Sequence, residues 1–331
     1  MEAGRRPAPP APVRGRRLEL SEPVARTAPI GAIREPRQVR AIGEAIVRWG
    51  TATGGGSRRP DLPWRSTRDP WAVLVSEVMA QQTQLARVVP AHGRFLARFP
   101  DPLACAAAPL GDVLRAWEGL GYNRRARNLH RAAGLIVDVH GGSVPGDLGA
   151  LLALPGVGAY TARAVLAFAY ELDVGLVDTN AGRVLSRAVA GRRIAGGEAQ
   201  LLVDAMVPEG RGWAFGQSLL DLGALVCVAD TPRCEQCPVR RRCRWAADRF
   251  ESPDPARGSA GVSTTQSRFA GSDRQGRGRL VDRLRAGPIG PHQVGEAVGW
   301  PDDAARVERM VGLLIDEGMV VRDEVGTLRL P

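Results

Sequence analysis

The chain has 331 residues, of which 44% are hydrophobic and 24% charged, a composition typical of a globular protein with two or three domains. It contains no run of about eighteen uncharged apolar residues, which excludes a membrane-spanning helix. The net charge of +10 favours a polyanionic partner such as nucleic acid.

Two segments of the chain have compositions that disfavour regular structure. Residues 1–36 are rich in arginine and proline and poor in large apolar side chains, which predicts a disordered tail. This tail lacks the apolar core of a signal peptide, and its prolines and scarce serine argue against a transit peptide. Residues 247–276 are predicted to be a linker, because proline, glycine, serine and threonine are dense from Ser252 onward.

Between these segments the apolar residues follow helical spacing, and the alternation typical of strands is nearly absent. Trp71 and Leu74 follow the i, i+3 rule behind Asp69-Pro70, which predicts a helix that begins at Pro70. Pro90 either kinks the next helix or starts a new one. A further helical pattern is predicted to end at Gly141. The sequence therefore predicts an all-α body whose helices are joined by short turns.

A glycine-containing turn separates two of these helical patterns, in the stretch Leu154-Pro-Gly-Val-Gly-Ala-Tyr-Thr161. The first pattern follows a cap at Asp147 and the second begins at about Tyr160. Gly156 and Gly158 permit unusual backbone angles and close approach of another molecule. The first amides of the second helix have no partner within it, so they form a site for one DNA phosphate, independent of sequence. A plain tight turn between two helices is the alternative.

Four of the five cysteines lie in one short loop, whereas Cys105 stands in an alanine-rich run and is interpreted as a small buried apolar residue. Five cysteines are too few for a disulfide-stapled secreted domain. The loop has one CxxC pair where structural zinc sites usually have two, and a compact set of four thiolates suits a [4Fe-4S] cluster. Zinc is the alternative. The neighbouring arginines would offset thiolate charge and contact phosphate. The pattern is Cys227-x6-Cys234-x2-Cys237-x5-Cys243.

Residues 277–331 have a different pattern from the rest of the chain. Three short helical patterns are followed by two alternating stretches on either side of Asp323–Gly326, as in a hairpin. Three helices and a hairpin are typical of a winged-helix module, which predicts a small C-terminal domain capable of contacting nucleic acid.

The hairpin, Val177-Asp-Thr-Asn180 and the cysteine loop, in this order, resemble the endonuclease III superfamily of helix-hairpin-helix DNA glycosylases over about residues 38–246. Leu62-Pro-Trp-Arg65 and Ser76-Glu-Val-Met-Ala-Gln-Gln-Thr83 narrow the resemblance to MutY-type adenine DNA glycosylases, short-tailed bacterial type. The resemblance implies a six-helix domain over residues 66–175. It also implies an iron–sulfur domain built from residues 37–65 together with 176–246. It also implies a cytoplasmic, nucleoid-associated monomer that removes adenine mispaired with 8-oxoguanine or guanine in double-stranded DNA.

Two carboxylates are the candidates for the chemistry. Glu77 borders the apolar stripe of the helix from Pro70, where partial desolvation favours a proton-donating form. Asp178 begins a helix, where a carboxylate is stabilised as the anion. Cleavage of the adenine N-glycosidic bond needs an acid that protonates the purine and an anion that stabilises the oxocarbenium-like sugar. The resemblance assigns these roles to Glu77 and Asp178; a solvated glutamate and a plain helix cap are the alternatives.

The resemblance implies roles for further residues. Tyr160 stands where the bifunctional lyase branch carries an attacking lysine, and the sequence contains no lysine at all, so a monofunctional enzyme that leaves an abasic site is expected. Asn180 is implied to act with Tyr160 in catalysis, and Arg65 to line the substrate pocket together with Glu77. The residues implied to contact DNA are Gln82, Thr83, Tyr122, Arg124, Pro155, Gly156, Val157 and Gly158.

The turn Leu120-Gly-Tyr-Asn-Arg-Arg125 resembles a second wedge into DNA. Tyr122 matches the family, whereas Asn123 replaces an aromatic residue found in many relatives, which leaves wedging at that position open. Arg124, Arg125 and Arg127 are expected to contact phosphates. A helix–helix turn with solvated arginines is the alternative.

The chain departs from the family in its C-terminal segment. Well-known MutY relatives carry a larger C-terminal domain that recognises 8-oxoguanine, and this chain is too short for it, which leaves the strength of the preference for 8-oxoguanine over guanine open.

Two other functions remain as alternatives. One is an endonuclease III-like pyrimidine glycosylase, against which Tyr160 and the missing lysine argue; the other is a cluster-containing DNA-binding regulator without catalysis.

Overall fold

The computed structural model describes residues 36–52, 58–59, 61–262 and 268–331. The predicted disordered tail therefore lies outside the described residues, apart from Pro36. Apart from one short two-stranded hairpin, the regular structure of the described residues is helical, which confirms the predicted all-α class. No helix in this part of the chain could span a membrane. The helices are α1 (Pro36–Thr51), α2 (Pro70–Ala80), α3 (Leu85–Arg98), α4 (Pro102–Ala107), α5 (Leu110–Ala116), α6 (Arg124–His140), α7 (Leu148–Ala153), α8 (Ala159–Phe168), α9 (Thr179–Val184), α10 (Gly196–Met206), α11 (Gly212–Leu225), α12 (Arg244–Ala247), α13 (Asp273–Arg285), α14 (Pro291–Val298) and α15 (Ala304–Asp316).

Short elements complete the fold. A π-helical segment, Leu185–Ala190, continues α9, and three 3-10 turns are formed by Pro63–Arg65, Cys234–Gln236 and Arg240–Arg242. Two strands, β1 (Val321–Arg322) and β2 (Leu328–Arg329), pair antiparallel.

The chain divides into two compact units. The described residues within Met1–Val73, Gly146–Leu148 and Gly158–Thr264 form unit 1, and those within Leu74–Pro145, Gly149–Val157 and Thr265–Pro331 form unit 2. In this division α8 falls in unit 1 and the C-terminal segment in unit 2. The predicted domain bounds stay a prediction.

The local helix signals agree with the observed boundaries. α2 begins at Pro70, and the carboxylate of Asp69 caps it by accepting the backbone N–H groups of Trp71 and Ala72 at 3.0 and 3.4 Å. α6 ends at Gly141, which adopts the left-handed conformation at φ 60°. Pro90 starts no new helix, because α3 continues through it.

The core of unit 1 is built from α1, α9, α10 and α11. Ile42 and Ile46 of α1 and Phe215 and Leu222 of α11 are fully buried in it. Gly43 permits close packing of α1 on α10, because a Cβ at this position would lie 1.9 Å from the carbonyl oxygen of Met206. Burial of several large side chains of this kind, at roughly 1.5–3 kcal/mol each, holds the helices that carry the cysteine loop.

The segment predicted as a linker is partly packed against unit 1. The backbone N–H of Ala260 donates to the carbonyl of Ile194 at 2.9 Å, and Asp254 pairs with Arg187. A Cβ at Gly182 would lie 2.1 Å from the carbonyl oxygen of Ala260, so the backbones approach closely here. Residues 254–261 are therefore part of unit 1, while residues 263–267 of the predicted linker lie outside the described residues.

The C-terminal segment has the predicted three helices and hairpin, and it packs within unit 2. The guanidinium of Arg285 on α13 donates to the carbonyl of Leu114 at 2.9 Å, and the N–H of Gly111 donates to the carbonyl of Pro331 at 3.1 Å. In the core of the same unit, Cys105 is fully buried, which raises the pKa of its thiol to about 12 and agrees with its interpretation as an apolar residue. The winged-helix assignment of the C-terminal segment stays a prediction.

Candidate functional site

The predicted helix–turn–helix is formed by α7, residues 154–158 and α8. Leu154 and Val157 are buried and anchor the turn, and Val157 donates its N–H to the carbonyl of Leu154 at 3.1 Å. Gly156 is exposed at φ 79°, and a Cβ there would lie 2.9 Å from the Asn128 side chain. Gly158 precedes α8 in an extended conformation. The turn therefore presents backbone at the surface at a point where only glycine fits, as an anion site requires.

Glu77 lies in a helix that is buried almost all round. All of residues 71–79 in α2 are buried, and Glu77 itself is 8% exposed. The expectation that it borders one apolar stripe is therefore too weak, because the whole helix is enclosed. Removing a carboxyl group from water favours its neutral form, as a proton donor requires.

Asp178 is the N-cap of α9, as predicted. Its carboxylate accepts the backbone N–H of Ala181 at 2.7 Å and the side-chain amide of Asn180 at 2.8 Å. Burial raises the pKa of Asp178, while these two hydrogen bonds and the nearby Arg183 lower it, and the net shift is upward. The sequence prediction considered only the cap and missed the opposing effect of burial.

Asp178 is connected to the cysteine loop through two side chains. Asn180, whose amide donates to Asp178, accepts a hydrogen bond from the Arg183 guanidinium at 2.8 Å. The same guanidinium donates to the carbonyl oxygens of Gly223 at 2.8 Å and Cys227 at 3.1 Å. Arg183 was not predicted as a site residue, although its i, i+3 spacing from Asn180 on one helix face was a usable signal.

The four cysteines of the loop line one cavity, as expected of ligands to a common group. Arg187 also lines it, with its guanidinium 3.6 Å from the Cys227 sulfur. Burial raises the pKa of Cys237 to about 11, so four thiolates at this place need compensating positive charge. Among the described residues no three histidine, cysteine, aspartate or glutamate side chains are arranged to hold a single metal ion. The cysteines are Cys227, Cys234, Cys237 and Cys243.

Two other predicted residues of unit 1 have different surroundings. Arg65 forms a two-pronged, buried ion pair with Asp221, with nitrogen–oxygen distances of 2.9 and 2.8 Å. Its direct contact is thus with α11, and its role in a substrate pocket stays a prediction. Tyr160 lies half-buried in the first turn of α8.

The two predicted wedge segments of unit 2 share an unusual backbone feature. Gln82 and Tyr122 both have positive φ angles, 54° and 47°, which non-glycine residues seldom adopt. Both side chains are exposed and line the same clefts. Thr83, in contrast, is half-buried, and its hydroxyl interacts with the carbonyl of Leu120 at 3.3 Å.

Arg125 holds these two segments together and is not a phosphate contact. Its guanidinium is buried, with the residue 8% exposed. One end donates to the carbonyl oxygens of Met79 and Gln81 at 2.7 and 2.6 Å, and the other to those of Leu120 and Gly121 at 3.1 and 3.0 Å. Burial lowers the pKa of Arg125 to about 10, so it stays charged at neutral pH.

The other residues of the second wedge have partners within unit 2, and the DNA contact of Arg124 stays a prediction. Arg124 remains largely exposed but pairs with Glu317, and Arg127 lies 3.8 Å from the same carboxylate with little exposure. Asn123 is buried, and its side-chain oxygen accepts a hydrogen bond from Arg285 at 2.9 Å. Asn123 is therefore a contact of the C-terminal segment and does not project as a wedge.

Residues 75–200 match the HhH-GPD superfamily of base excision DNA repair proteins, a range that includes Glu77, the hairpin and Asp178. The adenine DNA glycosylase of Mycobacterium tuberculosis strain CDC 1551 is 44% identical over 280 residues, which cover 82% of this chain and 89% of that protein. The adenine DNA glycosylase of Mycolicibacterium smegmatis is 41% identical over 276 residues, which cover 82% of this chain and 92% of that protein.

Two solved structures are similar to this chain. A thermostable thymine-DNA glycosylase has 27% identity and a TM-score of 0.57, covering 64% of this chain and 98% of that chain. Endonuclease III in a trapped covalent intermediate with DNA has 25% identity and a TM-score of 0.55, and the match covers 65% of this chain and 99% of that chain.

Proposed function

This chain belongs to the adenine DNA glycosylases of the HhH-GPD superfamily, and on that premise we propose that its substrate is adenine mispaired with 8-oxoguanine or guanine in duplex DNA. It is a DNA glycosylase that removes adenine in base excision repair. The observation that carries the proposed chemistry is the surroundings of two carboxyl groups. Glu77 is buried within α2. Burial also raises the pKa of Asp178, while two hydrogen bonds at the start of α9 orient its carboxylate and favour the charged form.

These surroundings support a division of labour in glycosidic bond cleavage. Glu77 donates a proton to the adenine, which turns the base into a better leaving group. Asp178 stabilises the positive charge that develops on the sugar, with its orientation held by the Ala181 N–H and the Asn180 amide. Tyr160 occupies the position of the lyase-branch lysine and cannot form a Schiff base, so the product is an abasic site in an uncut strand.

Binding is proposed to involve the hairpin and the wedge segments. The backbone of residues 155–158 contacts one phosphate without reading sequence. Gln82 and Tyr122, both exposed, enter the stack where the adenine leaves it. Extrusion of the base costs a few kcal/mol, and such insertion compensates part of that cost.

We further propose that the cysteine loop holds a [4Fe-4S] cluster. Four cysteines line one cavity, and an all-thiolate donor set is the one that such clusters use. The bound cluster serves a structural role and takes no part in bond cleavage, while Arg187 beside Cys227 balances its charge. Purified protein is expected to contain about four iron and four sulfide per chain; about one zinc and no sulfide would contradict the cluster.

Adenine release from defined duplexes tests the proposed function. The protein is expected to release adenine from duplexes with adenine opposite 8-oxoguanine or guanine, and not from an A:T duplex. Glu77→Gln keeps the shape of the side chain without its acid, and we expect the single-turnover rate to fall about 10³-fold with little change in DNA affinity. Glu324→Gln, an exposed position, is the matched control.

Two outcomes would contradict the proposal. DNA binding without adenine release, unchanged by Glu77→Gln, would favour a DNA-binding regulator. Release of an oxidised pyrimidine with strand cleavage would favour the endonuclease III branch.

A further inference from the structure

An exposed aromatic pair in unit 2 brackets a guanidinium group. Phe269 and Tyr122 are 53% and 38% exposed, which is unusual for large aromatic side chains. Arg274 lies between them, with its guanidinium carbon 5.3 Å from the centre of the Phe269 ring and 5.9 Å from that of Tyr122. Its Nη1 also lies 3.5 Å from the Tyr122 hydroxyl. Two exposed rings and a half-buried guanidinium thus form one row of flat groups, the stacking platform.

Two of the three members come from the start of the C-terminal segment as the structure has it, residues 268–331 of unit 2, although the sequence placed both in the predicted linker. Arg274 lies in the first turn of α13, and Phe269 lies three residues before Ser272, the N-cap of that helix. The carbonyl of Phe269 accepts hydrogen bonds from the backbone N–H and the hydroxyl of Ser272, the N-cap of α13, at 3.1 and 2.6 Å. Local helix capping therefore fixes Phe269 and Arg274 beside Tyr122.

The platform stands between two open clefts of about 530 and 520 Å³. Gln82, Tyr122 and Arg274 line both clefts, and Phe269 lines the second. The clefts are basic: their walls contain six arginines and one acidic residue, Asp282, which is itself paired with Arg285. Two of the arginines, Arg124 and Arg277, share the carboxylate of Glu317. The arginines are Arg87, Arg124, Arg125, Arg274, Arg277 and Arg279.

We propose that Tyr122, Arg274 and Phe269 bind the unpaired base that faces the excised adenine, so that the C-terminal segment takes part in recognition of the opposite strand. The inference rests on the proposed function, since an enzyme that extrudes one base leaves its partner without a pairing surface. A nucleobase matches the platform in both shape and charge: it has a flat π face to stack on the rings, and its phosphates bring negative charge to the basic clefts.

The chemistry favours a base over a phosphate alone. A phosphate contact needs the arginines but gains nothing from an exposed phenyl ring, whereas stacking on an aromatic side chain is a main contribution to the binding of unpaired bases. The contribution of Phe269 should therefore depend on whether the DNA has a base at the opposite position.

The experiment compares the affinity for two duplexes that differ only in that base. Both carry 2′-fluoro-2′-deoxyadenosine, whose glycosidic bond resists cleavage because fluorine destabilises the cationic sugar. One has 8-oxoguanine opposite it and the other an abasic tetrahydrofuran residue. Phe269→Ala and Phe269→Leu are expected to weaken binding to the first about tenfold and to the second less than about twofold. Phe269→Tyr keeps the aromatic face and is expected to bind as the wild type does.

Arg274→Gln separates stacking from charge. We expect it to weaken binding to the 8-oxoguanine duplex more than Arg309→Gln does, and to match Arg309→Gln on the abasic duplex. Arg309 is an exposed arginine of α15 that lines neither cleft, so it reports the effect of one lost charge on DNA affinity.

Three results would overturn the inference. The first is that Phe269→Ala binds both duplexes with wild-type affinity, and the second is that it loses affinity equally for both. The third is that Arg309→Gln loses as much affinity for the 8-oxoguanine duplex as Arg274→Gln does. Adenine release by the wild-type protein from an unmodified A:8-oxoguanine duplex is measured in parallel. Its failure would contradict the proposed function, whereas the affinity comparison alone decides on the platform.

Discussion

Buried arginines organise the candidate site residues of both units, but they do so with different partners. In unit 2, Arg125 forms six hydrogen bonds, all to carbonyl or hydroxyl oxygens. In unit 1, Arg187 pairs with the carboxylate of Asp254 and also donates to the carbonyls of Val228 and Ala229. Burial without a carboxylate partner lowers the pKa of Arg125, whereas Asp254 and Cys227 raise that of Arg187 despite burial.

This difference in partners predicts different effects of mutation and pH on the two regions. A guanidinium that binds only neutral oxygens contributes mainly through geometry, so a one-point charge such as lysine cannot replace it. A guanidinium held by a carboxylate depends on that carboxylate and therefore on pH. The wedge segments of unit 2 should thus be sensitive to shape, and the region beside the cysteine loop to charge.

The largest expected effect is at Arg125. Arg125→Lys keeps the charge but loses most of the donors that join the 79–83 and 120–122 segments, which leaves buried carbonyl oxygens without partners. We expect a loss of about 3 kcal/mol in the free energy of unfolding, measured by chemical denaturation. Weaker DNA binding should accompany it, because Gln82 and Tyr122 are no longer held in the left-handed conformation.

Arg131→Lys, at an exposed position of the same helix, is the control for Arg125→Lys. Equal stability of the two variants would show that the carbonyl contacts of Arg125 contribute nothing.

A smaller effect is expected at Arg183, which links Asn180, the partner of Asp178, to the cysteine loop within unit 1. Arg183→Gln removes the bonds to Asn180 and Cys227 and so loosens the amide that orients Asp178. Loss of a hydrogen-bond partner that orients a metal ligand typically costs about 10- to 100-fold. By analogy, we expect the rate of adenine release to fall about 30-fold with DNA affinity retained.

Iron content separates two explanations of such a fall at Arg183. A rate that falls with full iron content supports the orienting role, whereas a rate that falls only in proportion to lost iron would show that Arg183 acts through the cysteine loop alone.

Much of the fold follows from signals that act over a few residues. The cap at Asp69, the left-handed Gly141 and the cap at Asp178 were predicted at the positions where the structure has them. Each depends on side-chain or backbone chemistry within one helical turn, which is present in the sequence itself. The same holds for the hairpin at Gly156 and for the crowding of the four cysteines.

The residues that the sequence misinterpreted or left open depend on partners far away in the chain. Arg125 resembles a surface arginine in a turn, and nothing nearby shows that its guanidinium reaches the carbonyl of Met79, 46 residues away. The contact of Asn123 with Arg285 spans 162 residues. The burial that shifts Asp178 comes from tertiary packing, so local capping rules predicted its hydrogen bonds but not the direction of its pKa.

The smallest expected effect concerns Asp254, in the segment that composition predicted as a linker. The Arg187 guanidinium holds the pKa of Asp254 below its ordinary value of 3.8. A lowered pKa in the folded state means that the pair stabilises the fold above the unfolded-state pKa, and that this stabilisation is lost as the pH falls through the folded-state value. Asp254→Asn should therefore lower the free energy of unfolding by about 1 kcal/mol at pH 7 after allowance for solvent screening, with Asp230→Asn, an exposed position of the same unit, unchanged. Denaturation at a series of pH values should show the gap between wild type and Asp254→Asn constant from pH 7 to about pH 5 and closing below about pH 4. If the stability difference between wild type and Asp254→Asn persists at acid pH, Asp254 acts through its hydrogen bonds to Arg187 and not through its charge. The proposed difference between a charge-dependent Arg187 and a geometry-dependent Arg125 would then be wrong.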